Sequence, residues 1–134
     1  MDRLKVLLAD DHDGFRRTLA EFLNVQQGVE VVCEVADGDE AIEQSERHRP
    51  DLVLMDINMP RRNGLEAAKT IKDLLPMTTV VILSLNASDL YRHLARQHAA
   101  DYFVDKASMK NSLLLIVSGL LSGDTTRLVA AHAA

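Results

Sequence analysis

The sequence is poor in the features that mark exported, disulfide-bonded or membrane-spanning proteins. Its one cysteine, Cys33, cannot form an internal disulfide, and no zinc ligand set can be assembled around it. No apolar run approaches the roughly 18 residues that a membrane span needs. Asp10 and Asp11 break the amino-terminal apolar run, so a secretory signal is not expected. The expected compartment is therefore the cytoplasm, with no membrane partner.

Basic charge and clustered glycine are also scarce. The 134 residues hold 15 Lys and Arg against 20 Asp and Glu, a net charge of −5, whereas a nucleic-acid groove needs a basic stripe. The six glycines are scattered and form neither a dinucleotide-binding nor a P-loop spacing. We therefore expect no direct nucleic-acid binding and no nucleotide cradle. Any chemistry must come from individually placed side chains.

Five short apolar runs alternate with amphipathic stretches along the chain. The runs span residues 5–9, 30–35, 52–55, 80–83 and 102–104. Their length and their β-branched and aromatic content predict strands, and the continuously apolar ones are typical of a parallel sheet buried on both faces. The second run alternates with acidic residues, which suggests an edge strand. Five strands alternating with five helices predict an α/β, doubly wound sheet.

Polar residues and breakers delimit the five predicted helices. The third helix is predicted to run from Gly64 and to be stopped by Pro76. The residues expected to cap the other helices are Asp13, Asp37 or Asp39, Ser88 and Ser108. The length fits one domain, predicted over residues 1–123. Residues 124–134 would be an Ala-rich tail, able to form a short helix, or the start of a linker, and no output domain is visible.

Residues able to carry chemistry fall at the carboxyl ends of the predicted strands. Asp10 and Asp11 follow the first strand and Asp56 the third, while Ser84 ends the fourth and Lys106 lies beside the end of the fifth. In doubly wound sheets, ligands bind beyond these ends. Three crowded carboxylates need a cation, and oxygen-only ligands in an open site favour Mg²⁺. One carboxylate could then act as a nucleophile toward phosphorus.

The segments VLLADDH, LVLMDINMPRRNG, VVILS and YFVDKAS resemble, in this order, the receiver domain of two-component response regulators. The resemblance covers roughly residues 4–122. It implies the flavodoxin-like receiver fold, with five parallel strands in the order 2-1-3-4-5 flanked by five helices. It also implies a signalling switch rather than an enzyme, with self-catalysed phosphotransfer and autodephosphorylation as its only chemistry. The phosphoryl donor would be a histidine kinase or a phosphotransfer protein.

The resemblance assigns the acceptor and the metal ligands. Asp56 would be the phosphoacceptor in a Mg²⁺-dependent reaction. Asp11 would bind Mg²⁺ directly, Asp10 mainly through water, and Asp56 and the backbone carbonyl of Asn58 would complete the protein ligands. Lys106 would pair with Asp56 or with its phosphoryl group.

The resemblance also assigns the switch to Ser84 and Phe103. Phosphorylation would draw Ser84 toward the phosphoryl oxygens and bury Phe103 in the vacated space. Three residues depart from the family pattern. Leu85 stands where a small residue is usual and would narrow access to the phosphoryl group, and Ala107 stands where many receivers have proline, which leaves the isomer of the preceding bond open. Phe103 lacks a hydroxyl, so burial alone would favour an inward rotamer of this ring. Gly64 would allow a backbone conformation that other residues resist.

The fifth predicted helix carries more apolar surface than one buried face requires. A stripe expected to face the sheet consists of Leu113, Ile116, Val117 and Leu120. The remaining residues predicted to form a partner or homodimer surface are Leu114, Leu115 and Leu121, with Tyr91 of helix four. The resemblance agrees, since receivers often dimerise or bind targets through helix four, strand five and helix five. The alternatives are scattered exposed leucines or a tail folded back over them.

Two other functions stay open at this stage. The run Asp11-His12-Asp13-Gly14 resembles the nucleophile motif of haloacid-dehalogenase-type phosphatases, in which Asp11 would be the nucleophile and Asp13 the acid. That superfamily also needs a late acidic pair, which this sequence lacks. A degenerate receiver that only binds partners is the other alternative, against which the intact set of acidic, hydroxyl and lysine residues argues.

Overall fold

The computed structural model describes residues 3–124 and 133–134, and it has the predicted α/β architecture. The strands of its single sheet are β1 (Leu4–Ala9), β2 (Val29–Val35), β3 (Leu52–Asp56), β4 (Thr79–Ser84) and β5 (Tyr102–Asp105). The helices are α1 (Asp13–Asn24), α2 (Gly38–His48), α3 (Gly64–Leu74), α4 (Asp89–Gln97) and α5 (Met109–Ser122). The strand order is β2-β1-β3-β4-β5 with parallel neighbours, so the predicted fold class and the edge position of β2 are confirmed.

Helices cover both faces of the sheet, which explains why its central strands are apolar throughout. One buried cluster joins the sheet to α1 and α5, and a second joins it to α2, α3 and α4. The predicted stripe of α5 lies in the first cluster, with Leu113, Ile116 and Val117 buried and Leu120 partly buried. Among the described helices, none combines the length and the apolar character needed to cross a membrane.

The start of α1 differs from the prediction by one residue. His12, not Asp13, is the N-cap: its Nδ1 accepts a hydrogen bond from the Phe15 amide at 3.0 Å. Asp13 is the first helical residue, where a negative charge still favours the positive end of the helix dipole. The predicted caps of the other helices are in place at Asp37, Ser88 and Ser108. Ser108 makes no side-chain capping hydrogen bond.

The leucines outside the α5 stripe are less available than predicted. Leu114 is exposed, but Leu115 and Leu121 are partly buried and pack against the core cluster beneath α5. Leu121 also lies against Gly28 in the turn before β2. The α1–β2 turn flanks α5, so much of the additional apolar surface is used within the domain.

The expectation of a helical tail lies largely outside the described residues. Of residues 124–134, the structure describes Asp124, Ala133 and Ala134. Ala133 forms an antiparallel bridge with Tyr102 at the start of β5, so this part of the segment is extended and lies against the sheet edge.

Candidate functional site

The carboxyl ends of β1 and β3 bring three aspartates together. Single carboxylate oxygens of Asp10, Asp11 and Asp56 all lie within 4.8 Å of one another. Asp10 is only 4% exposed, Asp56 is partly buried and Asp11 is exposed. β1 and β3 are direct neighbours in parallel register, so the residues that follow them meet at one sheet edge. The structure therefore assembles the three carboxylates that the sequence singled out, with an open side at Asp11.

Lys106 neutralises two of these carboxylates. Its Nζ donates a hydrogen bond to Asp10 Oδ2 at 2.7 Å and lies 3.3 Å from Asp56 Oδ1. The same ammonium lies 4.3 Å from the ring centre of Phe15, a cation–π contact. The sequence analysis gave Phe15 no role at this site. The signal that it missed was that α1 begins directly after the acid pair, so its first turn borders the site.

Asp10 is fixed through both its side chain and its backbone. Its Oδ1 accepts a hydrogen bond from the His12 amide at 2.9 Å, and its carbonyl oxygen accepts one from Arg16 Nη1 at 2.7 Å. Arg16 also pairs with Asp13 and with Glu34 of β2. Arg16, to which the sequence analysis gave no role, therefore ties α1, β2 and the acid loop together.

Gly64 holds the β3–α3 loop against Asp56 for a reason other than the predicted one. Its backbone φ is not positive. A Cβ added at Gly64 would instead fall on the carbonyl oxygen of Asp56, and the Gly64 amide donates to the carbonyl of Ile57 at 2.7 Å. Glycine is needed because the start of α3 lies directly against the backbone that carries Asp56.

A cleft of about 240 Å³ opens beside Asp56. Its lining consists of Asp56, Asn58, Ser84, Leu85, Asn86, Tyr91 and Lys106. Ser84 is buried, and its Oγ accepts a hydrogen bond from the Asn86 amide at 3.0 Å. Leu85 is 78% exposed, so it borders the cleft without closing it. The cleft offers room for a phosphoryl group between a carboxylate, a hydroxyl and an ammonium.

Phe103 is already buried, which revises the expected switch. Its side chain is 1% exposed, and the guanidinium of Arg92 on α4 lies 4.8 Å from the ring centre. In this structure the ring therefore already occupies the buried position to which the sequence analysis expected phosphorylation to move it. The bond between Lys106 and Ala107, left open there, is trans, as are all described peptide bonds.

The pKa of Asp56 is raised above its ordinary value. Burial is the largest cause, because it penalises the charged form, and the nearby charge of Asp10 adds to it. Lys106 opposes both effects by its charge and its hydrogen bond, but only in part. A raised pKa means that the folded state binds the proton more tightly than the unfolded state. Ionised Asp56 therefore costs stability above its folded pKa, and this cost vanishes as the pH falls below the ordinary carboxyl pKa.

We expect Asp56→Asn to stabilise the metal-free protein at pH 7. The gain should be about 1 kcal/mol, a common size for point mutations, or about 4 °C in melting temperature. It should shrink as the pH falls through the raised pKa of Asp56 and approach zero below the ordinary carboxyl pKa, where wild-type Asp56 is protonated in both the folded and the unfolded state. Thermal unfolding in a chelator across this pH range measures it. Asp13→Asn, at an exposed aspartate outside the cluster, should show no such gain; equal stabilisation by both changes would contradict the assignment.

Asp13 does not belong to the acidic cluster. Its side chain is 76% exposed and pairs with Arg16 at 2.9 Å. In the phosphatase alternative Asp13 would be the acid that faces the substrate beside Asp11, and the geometry does not support that role.

Comparison with known proteins agrees with this arrangement. The family model described as "Response regulator receiver domain" matches residues 6–118. The transcriptional regulatory protein PdtaR of Mycobacterium tuberculosis is 39% identical over 107 residues, 80% of this chain and 52% of the relative. The oxygen regulatory protein NreC of Staphylococcus haemolyticus is 33% identical, over 91% of this chain and 57% of the relative. The chain thus spans about half the length of these curated relatives.

Solved structures show the same fold. The signal receiver domain of the response regulator NarL from Mycobacterium tuberculosis has a TM-score of 0.82 at 28% identity, over 94% of this chain and 99% of that one. A LuxR-family two-component response regulator from an Aurantimonas species has a TM-score of 0.84 at 25% identity, over 96% of each chain. With a family model covering most of its length and a matching fold, this chain belongs to the response regulator receiver domain family.

Proposed function

We propose that this chain is a phosphoacceptor switch in which Asp56 takes a phosphoryl group from a histidine kinase or a phosphotransfer protein. The observation that supports the proposal most is the shared cleft of Asp56, Ser84 and Lys106, with the Lys106 ammonium 3.3 Å from Asp56 Oδ1. A carboxylate that only formed a structural ion pair would not need an open cleft beside it.

Mg²⁺ fits the donor set. The cluster offers carboxylate oxygens without histidine or cysteine, and Asp11 leaves one side open to water, as this ion prefers. Asp10, Asp11, Asp56 and the backbone carbonyl of Asn58 would hold it. When bound, the ion supplies positive charge that neutralises the phosphoryl oxygens.

The chain's own residues perform the transfer. A carboxylate oxygen of Asp56 attacks the phosphorus, an acyl-phosphate bond forms, and the bond from phosphorus to the donor's leaving group breaks. Lys106 stabilises the negative charge that collects on the phosphoryl oxygens, and the Ser84 hydroxyl donates a hydrogen bond to one of them. Water later cleaves the acyl phosphate and restores Asp56, so the chain acts on its own phosphoryl group and on no other substrate.

The switch runs through α4. The Ser84 Oγ accepts a hydrogen bond from the Asn86 amide, at the start of the loop to α4, and its hydroxyl proton can donate to the phosphoryl group at the same time. A movement of Ser84 toward the phosphoryl group would therefore pull on this loop. Because Phe103 is already buried beneath Arg92, the change that a partner would read is a shift of α4 and of Arg92 over the ring. This is a shift between two packed arrangements of a surface formed by α4, β5 and α5. A target protein or a second copy of the chain would bind there.

The experiment is incubation with acetyl phosphate and Mg²⁺, followed by mass spectrometry of the intact protein. We expect the wild type to gain the mass of one phosphoryl group. Asp56→Asn should gain none, because an amide is not a nucleophile toward phosphorus. Asp11→Asn should fold but lose at least about tenfold in rate, because one Mg²⁺ ligand is gone.

Asp13→Asn is the matched control, since it removes a neighbouring exposed carboxylate that lies outside the cluster. It should be phosphorylated at the wild-type rate. An unmodified wild type would favour the degenerate receiver, which binds partners without phosphate. Modification that persisted in Asp56→Asn would move the acceptor to another residue.

A further inference from the structure

The edge of β5 carries an added piece of chain. β5 pairs with β4 on one side, and on its other side Ala133 forms an antiparallel bridge with Tyr102. The amide of Ala134 donates to the carbonyl oxygen of Asp101 at 3.3 Å. The strand pairs of the sheet itself are parallel. The added segment is therefore not a continuation of the receiver topology, but an extended segment laid on an edge strand.

The side chain of Ala134 is buried where the added segment meets the domain. Ala134 is only 8% exposed and belongs to the buried cluster that contains Ala95, Ala100 and Phe103. Ala133, its neighbour, is exposed, as alternation along an extended segment requires. On the α4 side, Arg96 Nη1 donates to the backbone oxygen of Ala134 at 3.3 Å. Backbone pairing, burial and a cationic donor thus act on the same residue.

The same helix holds this segment and the switch ring. Arg92 and Arg96 are four residues apart on α4 and therefore point the same way. Arg92 covers Phe103 and Arg96 binds Ala134, which itself packs in the cluster with Phe103. A shift of α4 that moves Arg92 would also withdraw Arg96 from Ala134.

We propose that residues 133–134 dock in cis on the edge of β5 and close the α4–β5 part of the partner surface until phosphorylation releases them. The occupant is this chain's own segment, because its backbone and its buried methyl group make all three contacts described. The release step rests on the proposed function, whereas the docking itself does not. A partner that uses α4 and β5 would bind only after Ala134 has left.

The test is amide hydrogen exchange of residue 134, followed by NMR in the full chain, with a synthetic peptide of residues 125–134 as the reference. Docking should slow exchange of this amide at least about tenfold relative to the peptide. Ala134→Lys places a second cation beside Arg96 at a buried position and should abolish the protection. The reference for this variant is a peptide of residues 125–134 that carries the same substitution. Ala133→Lys, the same change at the exposed neighbour, should keep it.

Further measurements separate the alternatives. Protection that appears only at concentrations where sedimentation shows dimers would assign the segment to a second copy and overturn docking in cis. Beryllofluoride with Mg²⁺, a phosphoryl mimic, should remove the protection; unchanged protection would overturn the release step. If acetyl phosphate fails to modify Asp56 while residue 134 stays protected, the proposed function fails and the docking stands.

Discussion

Gly64→Ala should destabilise the protein by about 3 kcal/mol, toward the upper end of overpacking penalties, and lower the melting temperature by about 10 °C. The added Cβ would fall on the carbonyl oxygen of Asp56 and close to the backbone of Ile57. Backbone atoms cannot rotate away as a flexible side chain can. Either α3 moves outward from the sheet or the end of β3 is displaced.

The same substitution should impair the chemistry, because the backbone that must move carries Asp56. We expect phosphorylation by acetyl phosphate to slow at least about tenfold, measured well below the lowered melting temperature, since small displacements of reacting groups have effects of this size. Chemical denaturation measures the stability and intact-protein mass spectrometry measures the rate.

Gly14→Ala is the matched control. Gly14 lies in the first turn of α1, where an added Cβ would meet only the His12 ring, at 3.4 Å or more. Alanine should therefore be neutral or stabilising there by up to about 1 kcal/mol, as expected for helices. If Gly64→Ala were as stable and as reactive as Gly14→Ala, the close approach would not be a constraint on the site.

The sequence predicted what depends on local pattern. The strands β1, β3 and β4 could be located because both of their faces are buried, which leaves uninterrupted apolar runs. The convergence of Asp10, Asp11 and Asp56 followed from one rule, that parallel strands present their carboxyl ends at one edge. The strand order itself came from the resemblance to receivers, since strand pairing leaves no local mark on a sequence.

What the sequence missed depends on distances between elements. The sequence analysis gives Gly64 a conformational role, because the sequence of one segment does not show how close another segment lies. In the structure, the backbone of Asp56 leaves no room for a side chain at this position. The contact between Phe103 and Arg92 joins two different elements, and no local pattern relates them. Lys106 was expected to pair with Asp56, whereas it makes its shorter contact with Asp10. Packing between elements decides side-chain geometry of this kind, and the spacing of residues along the sequence does not predict it.

Lys106→Met should destabilise the metal-free protein about as much as Gly64→Ala does. Mg²⁺ should reverse this loss of stability. The lysine side chain is 10% exposed, and its loss leaves the carboxylates of Asp10 and Asp56 facing each other with little access to water. Removing one partner of a buried ion pair typically costs about 3–5 kcal/mol. We expect about 3 kcal/mol in chelator at pH 7, and less at lower pH as Asp56, whose pKa is raised by burial, takes up a proton.

Mg²⁺ should bind Lys106→Met more tightly than it binds the wild type. In the wild type, the ammonium occupies Asp10 Oδ2 at 2.7 Å and repels an incoming cation. Without it, no cation among the residues that the structure describes offsets the three carboxylates, and the Mg²⁺ affinity should rise about tenfold, which corresponds to about 1.4 kcal/mol. Titration calorimetry measures the affinity, and thermal unfolding with and without Mg²⁺ measures the rescue.

Lys110→Met is the matched control, because Lys110 also lies over an aromatic ring, at 5.6 Å from the centre of Phe22, but outside the acid cluster. It should leave the Mg²⁺ affinity unchanged and alter stability by no more than about 1 kcal/mol, as an exposed cation–π contact does. If Lys106 neutralises the acidic cluster, the two variants should differ in both the Mg²⁺ affinity and the stability. Weaker Mg²⁺ binding in Lys106→Met would mean that the lysine organises the ligands rather than competing with the ion for Asp10.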